Sequence, residues 1–270
     1  MKTILVPVDL SDVSTYGLDT AANLAKKHHA TVVLLHRVAV SDIKYTVVES
    51  AFHNSKEEFY NYLTHDTRDR MRDIVENPTY QGVKFDFKIV RDDETLPETV
   101  THQNADLIVM GSNGASGWKE WVRGSNAEHV VRDAQCPVLV IKTPVVDFKR
   151  VIFSLDFEKT DLGKHATKLL GTEGIEYFFV YVDDGMSYLN GPELKEKMGK
   201  LAMEIGMKEY NFEIFNDNTI EKGILNYANV MGADLIAMYT HGRKGFDHFM
   251  HGSIASDIIN HSLLATLVYH

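Results

Sequence analysis

The chain has 270 residues, 44% hydrophobic and 24% charged, so roughly two ordinary globular domains are expected, each able to bury its own core. Its formal charge of −10 argues against sequence-independent nucleic-acid binding, which needs a cationic surface to release counterions. The single cysteine, Cys136, excludes an internal disulfide framework and a cysteine-based zinc knuckle and fits a reducing cytoplasm.

The opening MKTILVPVDL carries a brief apolar run that Pro7 interrupts and Asp9 ends, too short for a secretory leader or a membrane span. Thr3 to Val8 reads as a strand, Ser11 as the N-cap of a helix through Lys27, and Thr31 to His36 as the next strand. A polar, helix-compatible segment runs from about Glu49 to Glu76 and is broken by Pro78 and Gly82; Phe85 to Val90 then reads as the third strand. A short helix from about Leu96 to Gln103 leads to a strand at Leu107 to Met110, a glycine loop, a helix after Ser125 and a last strand at Pro137 to Ile141.

After a linker at Thr143 to Lys149 the order repeats, with strands at Val151 to Leu155, Glu176 to Val182, Tyr210 to Phe215, Leu235 to Met238 and Thr266 to Tyr269. Helices are expected at about Thr160 to Leu170, Pro192 to Glu204, Ile220 to Val230 and after Ser253. Strands alternating with helices imply right-handed crossovers and an α/β fold: two tandem five-stranded, mostly parallel, doubly wound sheets, one in residues 1–146 and one in 147–270. Ligands of such sheets sit at the carboxyl ends of strands, near the point where strand order reverses. Asp9 and the glycine loop of the first half lie at such ends, and Asp156 in VIFSLD parallels Asp9 in ILVPVD.

The glycine loop carries most of the functional information. Between Asp106 and Ser125 an apolar run spills into Gly111-x2-Gly114-x9-Gly124-Ser125, and Gly242 and Gly252-Ser253 repeat the second and third glycines 128 residues later. Glycines let backbone N–H groups approach an anion closely, and the helix starting near Ser125, with Asn126 and Ala127 in its first turn, adds donors and partial positive charge. Two such corners can hold a polyphosphate between them. Glycines serving only tight turns are the alternative, and the echo at matched spacing weighs against it.

The thirteen histidines suggest metal binding, with His248 and His251 at i, i+3 and His28 beside His29, but no HExxH or mixed Cys/His cluster exists. Exposed, solvated histidines are expected, with His241 and His248 available to a phosphate or its ion. Trp118 and Trp121 read as a stripe packing the loop down, and the charges from Lys56 to Arg70 as a solvated helical face.

These residues resemble the universal stress protein family over nearly the whole chain, in two copies. The resemblance rests on ILVPVD, on LLH at Leu34 to His36, on ADLIVMGSNG from Ala105, on the gap to Gly124-Ser125, and on CPVLVIK from Cys136. It implies a stress-response protein that binds ATP with Mg2+ or Mn2+. The implied contacts are Pro7, Val8 and Asp9 after the first strand, the Arg37 backbone beside the adenine, and Met110 and Gly111 near the ribose. Gly114, Gly124, Ser125, Asn126 and Ala127 would surround the phosphates. In the second half Asp156, Gly242, Gly252 and Ser253 match, but Tyr239 stands where the loop's first glycine belongs, so its ring either fills the pocket or stacks on a different ligand. The resemblance also implies that the two halves pair within the chain through their last strands, with a homodimer as a further arrangement, and an exposed apolar edge supports this physically.

No P-loop lysine motif, nucleophile elbow or paired carboxylates appear, so no catalytic residue is assigned. A nucleotide-dependent sensor or regulator in the cytoplasm, without nucleic acid or membrane as partner, is the expected function. A slow ATP hydrolase and an interaction protein without nucleotide binding are the alternatives.

Overall fold

The structure is a computed structural model and describes residues 1–38, 56–91, 94–112, 124–145, 147–155, 162–186, 190–207, 210–239 and 254–269. The first half contains β1 (Thr3–Pro7), α1 (Asp12–His28), β2 (Thr31–Val38), α2 (Lys56–Val75), β3 (Lys84–Arg91), α3 (Leu96–Thr101), β4 (Leu107–Gly111), α4 (Gly124–Asp133) and β5 (Val138–Ile141). The second contains β6 (Arg150–Ser154), α5 (Leu162–Leu170), β7 (Glu176–Asp183), α6 (Gly191–Ile205), β8 (Asn211–Asn216), α7 (Ile220–Met231), β9 (Leu235–Tyr239), α8 (Ile254–His261) and β10 (Ala265–Tyr269). Local chemistry sets the helix starts. Ser11 caps α1 by accepting from the Ser14 N–H, while Thr95 and Asn190 close reciprocal capping boxes with Glu98 and Glu193.

Each half contributes five strands, and the expected pairing of the last strand of each joins the two units edge to edge, so that they form one continuous ten-stranded sheet and not two separate ones, ordered β3-β2-β1-β4-β5-β10-β9-β6-β7-β8. All neighbours run parallel except β5 and β10, which pair antiparallel with Leu139 opposite Leu267. Those two leucines are the same position of the repeat, so the seam lies on an internal pseudo-two-fold axis. The physical reason is that β5 and β10 are fully buried apolar strands, and each removes the other's open edge. One apolar layer faces α1, α2, α5 and α6, and the other faces α3, α4, α7 and α8; both run unbroken across the seam.

Side chains of the first half also cap helices of the second. Lys142, following β5, is buried and donates to the carbonyls of Ile259 and Ser262 at the end of α8; burial pulls its ammonium down to about 8. At the end of α1, Lys27 donates to the Leu170 carbonyl, and His28 Nε2 lies 2.7 Å from the Leu169 carbonyl oxygen. His28 is therefore not a solvated histidine as expected, because its ring closes the end of α5.

One motif position turns out to be scaffolding. In the repeated Ala-Asp-Leu-Ile, Asp106 accepts from the backbone N–H groups of Lys2 and Thr3 at 2.6 and 2.9 Å, and Asp234 accepts from those of Lys149 and Arg150, both at 2.8 Å. The N–H groups of Lys2 and then Thr3 hold the Asp106 carboxyl below the usual carboxylate range. Its stabilisation is present above the unfolded value of about 3.9 and is lost as the pH falls through the lower native value. Because Asp106 is exposed, Asp106→Ala should cost about 1 kcal/mol at pH 7 and progressively less as the pH falls below about 3.9 towards pH 2, as read from urea midpoints at the two pH values. An equal loss at both would contradict this assignment.

Candidate functional site

Strand order reverses between β1 and β4: the chain leaving β1 crosses to β2 on one side, while the chain leaving β4 crosses to β5 on the other. Connections diverging in this way leave a crevice beyond the carboxyl ends of the two strands. The cleft found there is lined by Pro7, Asp9, Ser11, Val13, Ser14, Leu96, Met110 and Gly111, and measures about 310 Å3 including open solvent. Four residues expected in the site, Pro7, Asp9, Met110 and Gly111, thus meet around one opening. Ser11, Val13, Ser14 and Leu96 join them; the sequence identifies Ser11 only as a cap and Leu96 only as the start of a short helix, and singles out neither Val13 nor Ser14.

The corner after β1 is tightly tied. Val8 N–H donates to the Leu35 carbonyl at 2.9 Å, and the Val8 carbonyl receives His36 Nδ1 at 2.8 Å. Asp9 Oδ1 accepts from the Ser11 N–H at 3.0 Å and from the Ser11 hydroxyl. Leu10 between them has a φ of 63°. The carboxylate is thus oriented by Ser11, while Ser11 itself caps α1. Val8 lies apart from the other expected contacts: its side chain is buried and faces a separate apolar cavity with Leu10, Leu18, Leu34 and Met71. With both backbone groups engaged, Val8 can offer a ligand little beyond its position.

Gly111 has a steric role that the sequence did not disclose. A Cβ there would lie 2.1 Å from the Val13 carbonyl oxygen, and one at Gly17 would lie 2.9 Å from the Gly111 nitrogen. The two glycines let α1 rest directly on the end of β4, which brings Ser11 and Val13 to the cleft wall. Beyond Gly111, the Ser112 N–H donates to the Ile141 carbonyl at 2.8 Å, fixing the exit from β4 against β5.

Gly124, Ser125, Asn126 and Ala127 form the first turn of α4. First-turn N–H groups have no intrahelical acceptor and carry the positive end of the helix dipole, which is the donor set a phosphate needs. Ala127 is buried, which leaves its backbone as the part that could meet a ligand. Arg37, at the end of β2, points an N–H of its guanidinium at the Glu94 carbonyl at 3.4 Å, and its buried Nε has no hydrogen-bond partner among the described residues. These donors suit an anionic ligand. Gly114, Asp156, Gly242, Gly252 and Ser253 lie outside the described residues, as do Trp118, Trp121, His241, His248 and His251.

In the second half β6 and β9 reproduce the reversal, and the Leu155 N–H to Val180 carbonyl bond at 2.9 Å reproduces the Val8 to Leu35 rung. Tyr239 takes the place of Gly111, is half-buried, packs against the core and stands beside Tyr269 in register. Among the described residues no cluster of three or more His, Cys, Asp or Glu side chains could hold a metal ion, and no helix is long and apolar enough to cross a membrane. Burial pushes the Cys136 thiol up to about 11, which removes it as a nucleophile at neutral pH.

The model of the universal stress protein family matches residues 1–142 and again 148–270. A universal stress protein of Methanocaldococcus jannaschii is 32% identical over 148 residues, covering 53% of this chain and 83% of the relative. Among solved structures, a universal stress protein from Archaeoglobus fulgidus shares the fold with a TM-score of 0.74 at 19% identity, over 98% of this chain and 97% of that one. A protein of unknown function from Pseudomonas aeruginosa is also similar, with a TM-score of 0.64 at 16% identity over 99% and 92% of the two chains.

Proposed function

Because the chain belongs to the universal stress protein family, as two tandem copies, we propose that it binds one adenine nucleotide, ATP, in the cleft of its first half and acts as a nucleotide-dependent regulator of a stress response. The observation that carries this reading is the convergence of the Asp9 corner and the end of β4 on a single cleft at the strand-order reversal, in a chain whose α4 opens with Gly124, Ser125, Asn126 and Ala127. Met110 and Gly111 form the wall for the ribose, Asp9 and the Arg37 backbone flank the nucleoside end, and the first turn of α4 with Gly114 receives the phosphates. A divalent ion, Mg2+ or Mn2+, arrives with the triphosphate. The functional units are residues 1–146, which carry the nucleotide, and 147–270, where Asp156, Gly242, Gly252 and Ser253 repeat the motif but Tyr239 replaces the first glycine of the loop. Such a protein works in the cytoplasm and passes its nucleotide state to a protein partner; catalysis is no part of the reading.

Freshly purified protein, denatured and analysed by mass spectrometry, should release one adenine nucleotide per chain. A chain that releases none and also gives no heat on titration with ATP and Mg2+ would overturn the assignment and leave the interaction-protein reading in its place.

A further inference from the structure

We propose that His36 is a positioning residue for the first-half cleft: its imidazole holds the corner that aims Asp9, and it does so against backbone strain at Leu10. The inference rests on the nucleotide reading for its functional consequence, but its structural core stands without it.

The geometry runs along the chain from β1. Pro7 ends the strand, and Val8 N–H makes one further rung to the Leu35 carbonyl at 2.9 Å. At the Val8 carbonyl a side chain enters: His36 Nδ1 lies 2.8 Å away. A carbonyl can only accept, so Nδ1 carries the proton. The backbone then turns through Asp9 and through Leu10 at a φ of 63° to reach Ser11, the cap of α1. Left-handed backbone in a residue with a side chain is unfavourable and persists only where its surroundings hold it. The holding groups here are His36 on the Val8 side and the Asp9 to Ser11 bonds on the other. A side chain without an N–H donor at 36 would free the Val8 carbonyl, let Leu10 relax towards extended backbone and swing Asp9 away from Ser11 and the cleft. In the second half, the residue following the equivalent rung is Tyr181.

The coupling between strain and donor gives the test. His36→Leu should weaken ATP binding in calorimetry about tenfold and speed hydrogen exchange of the Ser11 amide, whereas His36→Gln, which keeps an N–H donor, should stay within about threefold of the parent. Leu10→Gly removes the left-handed penalty, so in that background His36→Leu should change neither readout by more than about twofold. Rescue of this kind is not expected if His36 merely fills space. Equal losses with and without Leu10→Gly would overturn the proposal, as would His36→Leu behaving like the parent. Should His36→Leu alone lose its cooperative thermal transition, the comparison within the Leu10→Gly background decides: a double variant that loses affinity, Ser11 protection or its fold refutes the assignment. If the parent binds no ATP, the nucleotide reading fails, and Ser11 exchange across the same four chains still decides the role of His36.

Discussion

Gly111→Ala should lower the unfolding free energy by about 3 kcal/mol or more, a larger loss than any other glycine-to-alanine change among the described residues. The added Cβ would sit 2.1 Å from the Val13 carbonyl oxygen and 2.7 Å from its carbon. Both are backbone atoms of a 17-residue helix, so no side-chain rotation can relieve the clash, and α1 must lift from the end of β4. Lifting α1 drags Ser11 and Val13 from the cleft wall and exposes part of the layer around Leu18 and Ala21. Gly199→Ala is the matched control: it lies inside α6 with nothing within 4 Å of its would-be Cβ, and alanine there should add about 0.5–1 kcal/mol from helix propensity. Urea denaturation of the two variants and the parent checks both signs. A Gly111→Ala midpoint equal to that of the parent would mean that α1 does not rest on β4 as described.

Gly124→Val should weaken ATP binding at least tenfold, about 1.4 kcal/mol, while Gly252→Val should leave it nearly unchanged. Gly124 begins α4, where a β-branched side chain would stand between the first-turn N–H groups and the phosphates they are proposed to receive. Gly252 is its counterpart in a half where Tyr239 already occupies the position of Gly111, so on the proposed reading little ATP affinity is expected there to lose. Calorimetric titration of each variant, with its thermal transition checked, measures the difference. Equal losses from both, or two matched ATP sites in the parent chain, would refute the assignment of the nucleotide to the first half.

Much of the candidate site could be read in advance because its signals are short-range. A strand ending at Pro7 followed by Asp9 and a Ser11 cap, and a strand ending at Met110 followed by Gly111, are local patterns, and the doubly wound order then brings both strand ends together. What the sequence reading missed at the same site has no local signature. The Val13 carbonyl that makes Gly111 obligatory is about a hundred residues away in the chain, and the reading had given that glycine to the ligand. His36 appeared only as the end of a strand motif, since a bond to the Val8 carbonyl leaves no periodic trace. The repeated Asp106 and Asp234 looked like motif signature and proved to anchor the chain ahead of β1 and β6.

By itself the sequence determined the alternation of strands and helices, the duplication and the family, because hydrophobic period, caps and glycine spacing act over a few residues and recur at a fixed offset. Tertiary structure alone decided the register of the seam that joins the halves, with Leu139 opposite Leu267 on a pseudo-two-fold axis, and that Lys142, Lys27 and His28 of one half close helices of the other. It also decided that α1 lies close enough to β4 to demand glycine at both 17 and 111. Each of these depends on distances between residues far apart in the chain, and those distances follow from how whole elements pack rather than from the pattern within any one of them.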